Sequence, residues 1–361
     1  MKLTIKITIA SLILGIASWV IIQVPSVQDR IMLMVVSGMG NNSTNLHTED
    51  ALSVAICGSR SPIPSPGRAE TCMLIQAGDE MFIVDIGDGS NANLQSWGID
   101  YSNIKAVLLT HLHSDHIADL PSLHQGAWIL EERKDKLKVY GPEGVVNVTS
   151  GIEMAYGLDY KYRHQHHGND IAPISFAGFD TRTVDLDQPV IYDNEELKIT
   201  AFKVIHEPVE PALGYKFEYK GRSLVITGDT SYAQSVIDNS MNADVLFHEA
   251  QANHMVDVLQ NYAGENGAPL RSKVMSDIKT YHTTLLEAAE IANKANVKKL
   301  VFYHLTPAPR NYITELIFVR GVKNVRKDWM LVKDGTLVIL PVDSEEIICL
   351  LYTSPSPRDV S

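Results

Sequence analysis

The chain has 361 residues, 45% hydrophobic and 20% charged, with a net charge of −12. This is ordinary globular composition with ample material for a large core, and it excludes disordered, collagen-like and low-complexity architectures for the bulk of the chain. The acidic balance argues against general binding to a nucleic-acid backbone, because that affinity comes from lysines and arginines neutralising phosphates. Three cysteines, Cys57, Cys72 and Cys349, are too few for a disulfide scaffold or a four-cysteine zinc site.

Lys2 and Lys6 precede an apolar run, Ile7 to Val24. As a helix it is about 27 Å long, close to the thickness of a bilayer core. Residues 1–25 are therefore expected to be an uncleaved membrane anchor, with a cleaved signal segment as the alternative. The two lysines favour a cytoplasmic amino terminus, with the main domain periplasmic or secreted. Residues 26–47 read as a linker or juxtamembrane helix. Residues 48–344 form the expected catalytic domain. Residues 345–361 end in the proline-rich Ser354-Pro355-Ser356-Pro357-Arg358-Asp359 and read as a non-native tail.

Within the domain, Ala51–Cys57 predicts a short strand. Cys72–Gln76 and Met81–Ile86 predict a hairpin, and Ala106–Leu109 a strand buried on both faces. Leu213, Tyr215, Phe217 and Tyr219 alternate with polar residues at period two. Leu224–Ile226, Val245–Phe247 and Leu300–Phe302 read as further buried strands. Between the last two, Thr284 and Glu287 have the spacing of a capping box. Two strand-rich halves with interleaved helices predict a layered α/β domain.

The chemistry gathers at strand ends. Thr110-His111-Leu112-His113-Ser114-Asp115-His116 follows the buried run. Three imidazoles and a carboxylate in six residues suit zinc ligation and are hard to explain as packing. His206, Asp229 (in Thr227-Gly228-Asp229-Thr230), His248-Glu249 and His304 each end a later predicted strand, and His282 precedes the capped helix. Ligands in open α/β sheets gather at such ends.

His-x-His-x-Asp-His with the later His, Gly-Asp-Thr and His resembles the metallo-β-lactamase superfamily over Ala51–Pro341. His248-Glu249-Ala250 and His282-Thr283-Thr284 resemble motifs of its ribonuclease Z branch, which includes arylsulfatase-like and phosphodiesterase members. The resemblance implies a four-layer αβ/βα sandwich with two zinc ions between the sheet edges. It implies one zinc on His111, His113 and His206, a second on Asp115, His116 and His304, and Asp229 bridging. Two such metals activate water and clamp the attacked group. His282, held by Glu249, would protonate the leaving oxygen. Asp115, Glu249 and His282 are thus the expected catalytic groups, and His248 is expected to orient a ligand.

Ribonuclease Z enzymes generally carry a basic arm that grips tRNA. Here the corresponding connection is only Lys220-Gly221-Arg222-Ser223. The expected reaction is therefore hydrolysis of a small anionic ester, a phosphodiester or aryl sulfate. Ribonuclease Z-like tRNA cleavage and lactone or cyclic-ester hydrolysis are the alternatives, and a metal-binding scaffold is the non-enzymatic one. A homodimer is left open. Arg60 or Arg68, in a proline-rich loop, would orient the anion or lie in a solvated turn. The aromatics of residues 152–180 would form an aryl-binding lid or a surface flap, in which His166 and His167 are weaker metal candidates. Cys57 and Cys72 are read as two buried thiols, although an oxidising location would permit a bridge.

Overall fold

The computed structural model describes residues 12, 15, 16, 18–39, 46, 50–129 and 133–351. The chain divides into two units, Met1–Thr44 with Ser354–Ser361, and Asn45–Thr353. In the first unit a helix covers Pro25–Met39. Among the described residues no helix is long and apolar enough to cross a membrane. Of the expected anchor, 1–25, residues 1–11, 13, 14 and 17 lie outside the described residues.

The second unit begins with strands β1 (Ala51–Gly58), β2 (Cys72–Ala77), β3 (Glu80–Ile86), β4 (Ile104–Leu108), β5 (Leu137–Gly141) and β6 (Phe179–Thr183). There follow β7 (Val190–Asp193), β8 (Leu197–His206), β9 (Val209–Tyr219), β10 (Arg222–Ile226), β11 (Val245–Gln251), β12 (Lys299–Thr306) and β13 (Trp329–Leu331). β14 (Thr336–Pro341) and β15 (Ile348–Leu351) come last. They form an eight-stranded sheet, β15-β14-β1-β2-β3-β4-β5-β6, and a seven-stranded sheet, β13-β12-β11-β10-β9-β8-β7.

The sheets meet face to face. The period-two run Leu213, Tyr215, Phe217 and Tyr219 packs with Ile75, Phe82 and Val301 in the core between them. The opposite face of the first sheet buries Val107 and Leu109 with Leu94 and Leu123, from helices Ser90–Ser96 and Leu120–Ile129. The opposite face of the second buries Val225, Leu246 and Leu300 with Val236 and Ala289, from helices Gln234–Ser240 and Leu285–Lys294. The order is helix, sheet, sheet, helix, as the resemblance implied. The helix at Leu285 starts where expected: the Glu287 amide donates to Thr284 Oγ1 (3.3 Å) and the Thr284 amide to Glu287 Oε2 (2.9 Å).

Several expectations are corrected. Cys57 and Cys72 form a disulfide rather than two free thiols. Antiparallel pairing of β1 with β2 puts Gly58 opposite Cys72, and the cysteine Cα atoms are 5.0 Å apart, within bridging range. Gly58 permits this approach, since a Cβ there would lie 1.5 Å from the Glu70 carbonyl oxygen. Residues 348–351, assigned to the tail, pair with β14 as an edge strand. Most of the 152–180 segment lies in a helix, Val145–Ile171, broken at Gly168. Its Tyr156 and Tyr160, with Phe176, pack around Trp128 rather than over the strand ends. β9 and β10 are joined by Lys220-Gly221, both with positive φ, the tight hairpin the sequence predicted.

Candidate metal centre

The first four ligand candidates sit on a loop and the one-turn helix Ser114–Ile117 that follows it, fixed from below by a residue that the sequence analysis did not single out. Asp85, in the last turn of pleat of β3, is buried with φ 56°. Its Oδ1 accepts the Thr110 amide (2.8 Å), and its Oδ2 accepts Thr110 Oγ1 (2.8 Å). The same Oδ2 lies 2.8 Å from His116 Nδ1, which fixes the ring and turns Nε2 inward. A lone carboxylate between Val84 and Ile86 in an apolar strand was the available signal.

His111 Nε2 lies 2.8 Å from His113 Nδ1, and His206 Nε2 lies 3.4 Å from that same atom. His206, at the end of β8, donates Nδ1–H to the Tyr281 carbonyl (3.0 Å), so its Nε2 also faces inward. Asp115 Oδ2 lies 3.2 Å from His304 Nε2 and 3.5 Å from His116 Nε2. Asp229 Oδ2 is central, at 3.3 Å from His304, 3.5 Å from His116, and 3.9 Å from both His111 and His206. The residue before it must be glycine: Gly228 has φ 64°, and a Cβ there would meet the Leu213 carbonyl oxygen at 2.6 Å. His304 itself has φ 45°, so two non-glycine residues of the site hold an unfavourable backbone conformation.

The set fits metal ions. His111, His116, His206, Asp229 and His304 are all nearly fully buried, while His113 is exposed. His116 Nε2 and Asp229 Oδ1 have no hydrogen-bond partner among the described residues, in a place where an orphaned polar atom is costly. Burial holds His111 well below the usual imidazole range and His206 at about 4, so both present neutral lone pairs. Burial alone would raise the Asp229 carboxyl, but His304, His116 and His111 around it drive it well down, leaving an anion at the centre. His111, His113 and His206 form one possible ligand group, and Asp115, His116 and His304 another.

Beside this ring, His282 Nδ1 lies 2.9 and 3.0 Å from the two oxygens of fully buried Glu249. Glu249 also accepts the Thr230 amide (2.9 Å). Burial disfavours the imidazolium, but Glu249 outweighs it and lifts His282 to about 9. Its Nδ1 faces Glu249, which leaves Nε2 as the other nitrogen for proton exchange. A cavity of about 250 Å³ opens onto His113, Asp115, Asp229 and His282, walled by Pro62, Ile63 and Tyr281.

Other candidates lie elsewhere. His248 alternates with Glu249 and shares a face with Leu246 and Ala250, towards the helix layer; its Nδ1 donates to the Glu249 carbonyl (2.8 Å). Among the described residues it bonds none of the ligand candidates. Arg60 bonds Glu70 (2.9 Å), and Arg68 donates to Ser59 Oγ and the Val332 carbonyl, so neither lines the cavity. His166 and His167 are exposed and join no metal-ligand group among the described residues.

Residues 88–305 match the family described as "Beta-lactamase superfamily domain". The chain is 33% identical over 261 residues to ribonuclease Z of Mycobacterium marinum, covering 71% of this chain and 87% of that protein. It is 32% identical over 259 residues to ribonuclease Z of Mycobacterium bovis, with the same coverage. In fold it is similar to the metallo-beta-lactamase fold protein YhfI from Bacillus subtilis (TM-score 0.56, 23% identity, 80% of this chain and 100% of that chain). It is likewise similar to the short form of human tRNase Z (TM-score 0.56, 21% identity, 80% and 99%).

Proposed function

The chain belongs to the ribonuclease Z branch of the metallo-β-lactamase superfamily of metal-dependent hydrolases, and from that premise we propose that it cleaves phosphodiester bonds using two zinc ions. The observation that carries this reading is the convergence of four imidazoles on Asp229 Oδ2, with the Glu249–His282 pair alongside. His111, His113 and His206 would hold one ion, Asp115, His116 and His304 the other, and Asp229 both. Metal ions there supply Lewis acidity and lower the pKa of a water.

The chain's own groups supply the rest. Asp85 and the Tyr281 carbonyl hold His116 and His206 in the ligating orientation. His282 delivers a proton from Nε2 to the departing oxygen, while Glu249 fixes the ring through Nδ1 and stabilises its charged form. Asp115 contributes through the second ligand group.

The relatives' name supports RNA as substrate, in place of the aryl sulfate or lactone considered from sequence, and it outweighs the inference from net charge against nucleic acid. A small phosphodiester is the second reading. The two-residue turn between β9 and β10 favours it, because no tRNA-gripping arm is inserted there. The Cys57–Cys72 bridge supports an oxidising compartment.

The test compares zinc-loaded protein and Asp229→Ala on a precursor tRNA and on bis(p-nitrophenyl) phosphate. Metal-dependent tRNA cleavage supports the ribonuclease reading. Turnover of the small diester alone supports the second. Inactivity on both, with zinc bound, overturns the phosphodiesterase reading.

A further inference from the structure

Next to the catalytic cavity lies a second concavity of about 560 Å³, a volume typical of ligand sites. The two are neighbours along two chain segments. Pro62 and Ile63 wall the cavity, while Ile63 and Pro64 wall the groove; Thr306 lines the cavity, while Pro307 and Ala308 line the groove. The groove therefore begins three residues past His304, a ligand candidate.

Its lining is largely aliphatic. Met255, Val258 and Leu259 come from helix Asn253–Glu265, and Ile317 from helix Tyr312–Phe318. The polar groups there are mostly committed to the protein. His254 Nε2 bonds the Ile317 carbonyl (2.7 Å), Arg310 donates to the Pro64 carbonyl (3.2 Å), and Thr314 Oγ1 accepts the Asn311 amide (3.0 Å). The apolar surface continues outward at helical spacing, from Val258 to Tyr262 and from Ile317 to Ile313. Tyr262 is 67% and Ile313 68% exposed. An anionic-ester site that opens beside an aliphatic channel fits a substrate with both characters. Among the described residues no aromatic ring of Phe, Tyr or Trp lines the groove, and none there offers a stacking platform for a nucleobase.

We propose that this groove binds the alkyl or acyl chain of an amphipathic phosphodiester whose scissile phosphate sits in the catalytic cavity. The proposal rests on the phosphodiesterase reading, in its small-substrate form.

The experiment uses the zinc-loaded full chain and alkyl p-nitrophenyl phosphodiesters from methyl to decyl. Calorimetric binding of decyl methyl phosphate and light scattering accompany it. KM is expected to fall with chain length, by up to about fourfold per methylene. Val258→Glu and Leu259→Glu, on a solvent-facing helix surface, are expected to bring the methyl-to-decyl KM ratio close to one and to abolish calorimetric binding. A wild-type KM independent of chain length, with no binding of the decyl diester, overturns the proposal. So does a wild-type dimer that Val258→Glu dissociates while the KM ratio stays flat, which would make the groove a contact between copies. If no ester is turned over but chain-length-dependent binding persists and is lost in the variants, the groove assignment holds and the phosphodiesterase reading fails.

Discussion

The eight-stranded sheet contributes His111, His113, Asp115 and His116 from one loop after β4, whereas the seven-stranded sheet contributes His206, Asp229 and His304 from the ends of three separate strands. The loop is held by short-range geometry and one buried anchor, Asp85. The strand-end ligand candidates depend on register: parallel pairing of β10, β11 and β12 brings Asp229, Glu249 and His304 to one edge although 75 residues separate the first from the last. A loop motif keeps its ligands together locally, while a strand-end set exists only once the sheet has formed.

The largest expected effect tests the strand-end half. Asp229→Ala removes the carboxylate nearest four imidazoles and is expected to abolish turnover and metal content together, checked by metal analysis and steady-state rates. Full activity with two bound zinc ions would show that the site does not need Asp229, and that His206 and His304 carry the strand-end half.

Next is His282, the proposed proton donor, which also belongs to the second sheet's side. His282→Ala should retain zinc yet lose about 10²–10⁴-fold in kcat, more with poor leaving groups. Equal losses for good and poor leaving groups would remove His282 from the proton-transfer step. Asp85→Asn tests the loop's anchor. It should weaken zinc affinity by about 10–100-fold, measured by competition with a chelator. Unchanged affinity would mean that the loop holds its own shape.

Smaller effects concern the supports of the first sheet. Replacing Cys57 and Cys72 together by serine opens a 15-residue loop and should cost about 3 kcal/mol in denaturant unfolding. His124 is buried as a neutral ring whose Nε2 accepts the Gly178 amide (2.8 Å), and burial lowers it to about 4. Its folded pKa lies below the unfolded value of about 6.5, so the unfolded chain binds the proton first. Stability from this residue is complete above pH 6.5 and falls away towards pH 4, by at most about 3 kcal/mol. His124→Gln should flatten the stability profile in that window; an unchanged slope would show that His124 does not set it.

Some of this was legible in the chain. The loop motif announced itself by density, and the capping box at Thr284 and the period-two strand were readable because each is fixed by near neighbours. The strand-end ligands were readable only as a set. Asp85 was missed because its partners, Thr110 and His116, lie 25 and 31 residues away. The disulfide was missed because strand pairing, not spacing, brings Cys57 to Cys72. For Tyr156 and Tyr160 a lid over the site and a surface flap both stayed open, because sequence does not say which surface a helix covers; the helix packs them on Trp128.

The candidate ligand set, the strand ends that carry it and the tight β9–β10 turn could all be read from residue type and spacing, because each is a local property of the chain. It took the folded chain to show that Asp229 lies among four imidazoles, that Glu249 grips His282, that His248 faces away, and that an aliphatic groove begins near His304. Those relations depend on sheet register and on the packing of two sheets against each other, which join residues distant along the chain.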